Sequence, residues 1–323
     1  MAITVNEIVT GRKTFFILPD TSLIPESFLE DYFALGYECY FVPFDKRVKM
    51  ETKVKVITSL FKDLIIFFNI DYNLPNFDWE DYIYEYINKN NNSASVGVLY
   101  AKRQTKLEKT AIERRYLYEM GIRCGCVQLE YHKSENFELI SKILYANQAQ
   151  GRRKTIRALC TSSCTYTYTY GPYKDSVTGV LQDISLSHFT ILVDGEPLST
   201  KLYEKIPDIH FNIRGFLFRS DAVLVMERPL NGSMLYVFSF VTSTGASGLD
   251  ERTRGLLIPA LYKLLSTNLN TILDHMYQKA VEEEAAEAIR KASEEQKALD
   301  GKGEEFDINN NDIGTFNFNG DTL

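Results

Sequence analysis

The sequence predicts two folded domains followed by a helix: a doubly wound parallel α/β sheet, then an antiparallel β-barrel, then a C-terminal helical segment. Three patterns carry this. Between residues 13 and 146, five strand-like apolar runs alternate with five amphipathic stretches. After Gly151 the alternation shortens to period two, and from Gly255 apolar residues recur at spacings of three and four. At 323 residues the chain has room for two cores, since domains cluster at about 100 to 200 residues.

The α/β half reads in order. Lys13 to Pro19 is a strand and Glu26 to Leu35 a helix; Tyr37 to Val42 is the second strand, with a helix across Glu51 to Phe61. Leu64 to Ile70 precedes Trp79 to Ile87, Ser95 to Tyr100 precedes Thr110 to Met120, and Cys124 to Tyr131 precedes Phe137 to Tyr145. Regular βα alternation with short connections favours a parallel sheet, because right-handed crossovers place helices on both faces. This domain is expected over residues 1–149.

The barrel half, residues 150–260, contains the clearest strand, Thr165 to Tyr170. It sets Tyr166, Tyr168 and Tyr170 on one face and three threonines on the other, and Gly171-Pro172 ends it. Further strands fall at Val180 to Ser185, His188 to Val193, Ile209 to Phe218, Ala222 to Glu227 and Met234 to Val241. Turn signals stand at Asp194-Gly195 and Asn231-Gly232. Many short antiparallel strands suggest closure into a barrel.

Beyond it, Leu257, Leu261, Leu265, Leu269, Ile272 and Met276 form a helical stripe suited to packing on the barrel or on a partner helix. The C-terminal helix is expected over 261–300, with a favourable Glu287 to Lys291 pair, and the acidic tail over 301–323 is expected to be disordered.

Composition excludes several function classes. The formal charge is −7, yet residues 276–323 hold twelve acidic and five basic side chains, so the rest is balanced. A broad basic face for nucleic acid is not predicted. The first thirty residues lack a basic start and a long apolar run, and Leu64 to Ile70 is too short for a bilayer span, which predicts a cytoplasmic protein with no membrane insertion. Five cysteines and four histidines fit buried thiols better than disulfides or zinc, with Cys124 and Cys126 on one strand. No P-loop, dinucleotide fingerprint or nucleophile–base pair is present, so no enzyme is predicted and no metal cofactor is expected.

The densest basic cluster is Arg152-Arg153-Lys154-Thr155-Ile156-Arg157. Arg153 and Arg157, four apart, point to one side on a strand or a helical turn. Paired guanidiniums can bridge phosphate oxygens and stack on aromatic faces; a solvated linker is the plainer reading of the pair alone. A second element follows at Asp183-Ile184-Ser185-Leu186-Ser187-His188, at a strand end.

Together these resemble the PilZ domain, a cyclic di-GMP receptor family whose signature is R-x-x-x-R followed by D/N-x-S-x-x-G. Arg153 and Arg157 match the first motif, Asp183 and Ser185 the second. The resemblance implies that the arginines clamp phosphates and stack on guanine. Asp183 and Ser185 would take guanine edges or phosphate, with Arg152 as an extra phosphate contact; the plainer reading of Asp183 and Ser185 is a turn cap. His188 departs from the family, which has glycine there. If that position needs a positive φ, histidine costs on the order of 1 kcal/mol, and its ring could crowd the ligand or stack on it.

In the first half, Asp71-Tyr72-Asn73-Leu74-Pro75 resembles the phosphoacceptor loop of response-regulator receiver domains, which are flavodoxin-like. Asp71 would accept the phosphoryl group, with Asp20 for metal and Lys133 for charge neutralisation. Tyr100 stands where Thr or Ser is expected, and only one acid follows the first strand. The reading favoured is therefore a receiver-like fold serving as an interaction domain.

The sequence thus points to a signalling adaptor that binds cyclic di-GMP and relays it to a protein partner, with motility control implied by the resemblance. The alternative is a degenerate PilZ-like scaffold that binds a protein without nucleotide. The arginine segment is expected to be the only joint between the domains and to reorder on ligand binding; the C-terminal helix could support oligomerisation.

Overall fold

All six residues of Leu64–Asn69 are buried, and a strand covered on both faces is what a doubly wound sheet requires. The structure is a computed structural model describing residues 5–89, 94–151, 153–170 and 175–300. The first half runs α1 (Val5–Ile8), β1 (Lys13–Ile17), α2 (Ser27–Ala34), β2 (Cys39–Val42), α3 (Met50–Leu60), β3 (Leu64–Asn69), α4 (Trp79–Lys89), β4 (Ala94–Ala101), α5 (Lys106–Glu113), β5 (Cys126–Leu129) and α6 (Lys133–Ala146). The strands are parallel in the order β2-β1-β3-β4-β5. This order places a topological switch point between β1 and β3, where ligands of such sheets commonly sit.

Two helices start earlier than their apolar periodicity implies. Thr105 and Glu108 form a reciprocal capping box that carries α5 back to Lys106; α5 continues into a π-helical turn, Arg114–Glu119. At α6, the fully buried Asn136 accepts from the Glu130 amide at 2.7 Å and donates to the carbonyls of Glu130 and Leu23. Those bonds fix the helix start against the β5 exit.

The barrel strands are β6 (Ala158–Leu159), β7 (Cys164–Tyr170), β8 (Asp175–Ile184), β9 (His188–Val193), β10 (Lys205–Ile213), β11 (Phe216–Leu230) and β12 (Ser233–Val241). Antiparallel pairing runs β8-β7-β10-β11-β12-β9 and returns from β9 to β8, closing six strands, with β6 as a short addition on β8. Closure removes exposed edges. Phe189, Phe211, Phe218, Phe238 and Phe240 fill the interior, with Phe189 and Phe238 stacked at 4.9 Å. Tyr166 and Tyr168 share the inward face, while Thr167 meets Thr178 on the other.

The expected strand Ile209 to Phe218 is in fact two. Arg214 and Gly215 both have positive φ, 52° and 95°, the geometry of a tight hairpin turn, so β10 ends and β11 begins within that run. β11 then continues to Leu230 and turns through Asn231-Gly232, also left-handed at both positions. The Gly171-Pro172 stop and the 301–323 tail lie outside the described residues.

The last helix, α7 (Glu251–Asp300), starts before Gly255 because the Asp250 carboxylate caps the Thr253 amide at 2.9 Å. Leu257, Leu261, Leu264, Leu269, Leu273 and Tyr277 are its buried residues, so Leu264, Leu273 and Tyr277 take the places expected for Leu265, Ile272 and Met276. The first three join the barrel core. The described residues up to Tyr277 form one compact unit, and those from Gln278 a second. In the second, Glu287 and Lys291 pair at 2.8 Å along the helix. No helix among the described residues is long and apolar enough to cross a membrane.

The arginine segment is not the only joint between sheet and barrel. α7 also connects them: Tyr262 Oη donates to the Cys39 carbonyl on β2 at 2.9 Å, its ring packs near Phe33 and Tyr40, and Asn268 Nδ2 donates to the Leu159 carbonyl on β6 at 2.8 Å. The residues leading to the arginines are themselves tied down, by a Tyr37–Gln150 bridge and by Arg12 donating to the Asn147 carbonyl.

Candidate functional site

On the barrel, β6 brings the residue before it, Arg157, against the end of β8. Leu159 pairs with Asp183 and Ala158 with Ile184, and Arg157 Nη1 lies 3.5 Å from Asp183 Oδ2. A bulge between Leu181 and Asp183 turns this end of β8 and frees Asp183 from the inward alternation. Leu181 and Ile184 face the core, while Asp183 stands opposite Thr190 of β9.

Asp183 is the electrostatic focus. Its side chain is 14% exposed, and burial raises its pKa although Arg157 and Arg153 pull the other way. Its Oδ1 and the Thr190 Oγ1 opposite are buried, and the Thr190 hydroxyl also pulls the Asp183 pKa down as a hydrogen-bonding neighbour. A carboxylate so placed can also accept from the N–H donors of a ligand.

Ser185 is buried in the turn that follows. Its amide donates to the His188 carbonyl at 2.8 Å, and its Oγ accepts from the His188 and Ser187 amides at 3.1 and 3.3 Å. The structure therefore places this hydroxyl as the turn's cap, the plainer of its two expected roles. His188 opens β9 opposite Ser239 of β12 and is not among the described residues with positive φ. The strain anticipated for a histidine at this position is absent.

Sequence reasoning missed the two hydroxyls that join these parts. Thr155 Oγ1 lies 2.8 Å from Ser187 Oγ, which lies 2.8 Å from His188 Nδ1. The arginine segment is thus bonded to the hairpin turn through side chains alone, and no motif spacing marks such a contact. Burial and the neighbouring Arg157 lower the His188 pKa, with Asp183 opposing, which favours the neutral ring. Arg153 is exposed, and Arg152 lies outside the described residues.

At the C-terminal end of the parallel sheet, Asp71 follows β3 at the switch point. Arg103, from the β4–α5 loop, grips it with both terminal nitrogens, Nη1 to Oδ2 at 3.2 Å and Nη2 to Oδ1. The Ala101 amide donates to Oδ2 at 2.6 Å. Asp20 caps its own turn by accepting from the Ser22 amide and hydroxyl, and Lys133 is exposed at the start of α6. Tyr100 is buried beneath the Arg103 guanidinium, 5.4 Å from ring centre to Cζ. Among the described residues no group of three or more His, Cys, Asp or Glu side chains could hold a metal ion. Arg103 was not anticipated from the sequence, and it supplies a positive charge directly at Asp71.

No protein-family model and no curated protein matches the chain. Among solved structures, the PilZ domain of Escherichia coli YcgR with cyclic di-GMP is similar at 20% identity, covering 37% of this chain and 98% of that one, with a TM-score of 0.30. A YcgR chain from the same organism in complex with cyclic di-GMP is similar at 18% identity, over 38% of this chain and 50% of that one, with a TM-score of 0.29; the match spans half of its length. A signal receiver domain from Vibrio parahaemolyticus is similar at 15% identity, over 42% of this chain and 93% of that one, with a TM-score of 0.29. Both fold types anticipated from the motifs, PilZ-like and receiver-like, are therefore among the similar structures.

Proposed function

We propose that this chain is a cytoplasmic signalling adaptor rather than an enzyme. It binds cyclic di-GMP on the barrel surface through Arg153, Arg157 and Asp183, and it passes that occupancy to a protein partner. The observation that carries the reading is the Arg157–Asp183 arrangement at the β8 end, with a mostly buried carboxylate beside the guanidinium. A carboxylate can take the N1 and N2 hydrogens of guanine, and guanidiniums suit phosphodiesters. Motility control is the process the PilZ resemblance implies for it. The domains are 1–149, 150–260, 261–300 and 301–323, and the first acts as an interaction surface.

A second reading, a scaffold that binds a protein partner without nucleotide, draws support from the Ser185 hydroxyl being engaged in its own turn. Calorimetry of the full chain with cyclic di-GMP separates the two. Saturable heat that Arg157→Ala removes supports the receptor, whereas no heat at concentrations well above micromolar leaves the scaffold.

A further inference from the structure

We propose that His188 is a proton-linked contact of this site: it takes up a proton when a dianionic purine dinucleotide binds, and its Nε2–H donates to the ligand. The inference rests on the nucleotide reading above and adds a residue for which the matched motif has only glycine.

The placement comes from the ladder. His188 and Thr190 lie two apart on β9 and so on one face, and Thr190 is the cross-strand partner of Asp183. Phe189, between them, points into the barrel core. The imidazole therefore shares the outer surface of Asp183 and Arg157.

Its orientation is set by the arginine segment. Nδ1 contacts Ser187 Oγ, which contacts Thr155 Oγ1, midway between Arg153 and Arg157. With Nδ1 engaged, Nε2 is the nitrogen left for a ligand, and no side chain among the described residues bonds it. The hydroxyl pair also tolerates both charge states. When the ring is neutral, Thr155 can donate to Ser187 and Ser187 to Nδ1. When it is protonated, Nδ1–H donates to Ser187, and Ser187 donates to Thr155. Protonation reverses the direction of the chain.

Burial is the largest influence against the imidazolium, and the charges that face the ring set the balance. Arg157, on the segment before β6, opposes the imidazolium, and Asp183 on β8 favours it; Arg153 acts on Asp183 from the same segment, and Ser239, opposite on β12, is neutral. A phosphodiester placed against Arg157 cancels its repulsion of the imidazolium. The proton comes from solvent, and the only covalent bond formed is N–H.

The test is calorimetry of the full chain with cyclic di-GMP between pH 6 and 8, about one unit on either side of neutrality, in buffers of contrasting ionisation enthalpy. The wild type should take up a fraction of one proton per ligand, with affinity falling as pH rises by at most about tenfold per unit. His188→Gln should exchange no proton and show a flat profile. The His188 ring resonance, identified by its loss in that variant, should shift toward the protonated position on ligand addition; it can be read in the wild type even if the variant folds poorly. Binding heat with no proton uptake, or uptake unchanged in His188→Gln, overturns the inference while leaving the nucleotide reading intact. No heat from the wild type removes both.

Discussion

Arg103 closes the end of the parallel sheet by gripping Asp71 with both terminal nitrogens, while its guanidinium lies over the Tyr100 ring. A phosphoryl group on Asp71 would need a cation nearby and open space. Here the carboxylate oxygens are already taken by a guanidinium and by the Ala101 amide. Tyr100 and Arg103 act together, because the ring supplies the face on which the guanidinium rests.

Acetyl phosphate with magnesium should therefore leave the wild type without added mass at Asp71. Arg103→Ala should lower stability by about 1 kcal/mol, the scale of a partly buried ion pair, and expose the carboxylate. Intact-mass spectrometry and urea titration check the two parts. A wild-type adduct that Asp71→Asn abolishes would mean the guanidinium yields to phosphate.

Asp183→Asn should raise the melting temperature at neutral pH while removing nucleotide binding. Burial raises the folded-state pKa of Asp183 above its unfolded value. Its contribution is therefore most favourable below the unfolded pKa and is lost as pH rises through the folded one. The variant's advantage should be full above the folded pKa and shrink as pH falls through the carboxylate range. A melting series against pH reads this directly; a lower melting temperature for the variant at neutral pH would show that the Arg157 pairing outweighs burial.

Ser185→Ala separates a turn cap from a ligand contact. The hydroxyl accepts from two backbone amides and sits 3.1 Å from the His188 carbonyl as donor, and the residue is 1% exposed. Leaving those buried amides unpaired should cost about 1 to 3 kcal/mol. Affinity for cyclic di-GMP, measured where the variant is folded, should change far less than in Arg157→Ala. An equal loss in both would return Ser185 to the ligand.

How much of this was legible depended on whether the cause was local. The all-buried run of β3, the Tyr166 and Tyr168 alternation and the Asn231-Gly232 turn are written in neighbouring residues, and they emerge as read. The Arg214-Gly215 turn was passed over because the apolar residues on both sides continue one another's pattern. Asp71, Arg157 and Asp183 could be picked from short motifs. Their partners could not: Arg103 lies 32 residues from Asp71 and Ser187 lies 32 from Thr155, distances over which only the folded topology decides who meets whom. The same limit hid Tyr262, whose place in an apolar helical stretch says nothing of a hydroxyl reaching β2.

That hydroxyl provides the last prediction. β2 is the edge of the parallel sheet, so its outer carbonyls need partners from elsewhere. Tyr262 supplies one to Cys39 from α7, the same helix whose Asn268 holds Leu159, the ladder partner of Asp183. Tyr262→Phe should cost about 1 kcal/mol, the worth of one such bond. Tyr262→Ala, which also removes the ring from Phe33 and Tyr40, should cost about 3 kcal/mol or more. If α7 fastens barrel to sheet, the larger variant should also split a single urea transition into two. A single transition with an unchanged slope would place the coupling in the residues around Gln150 instead.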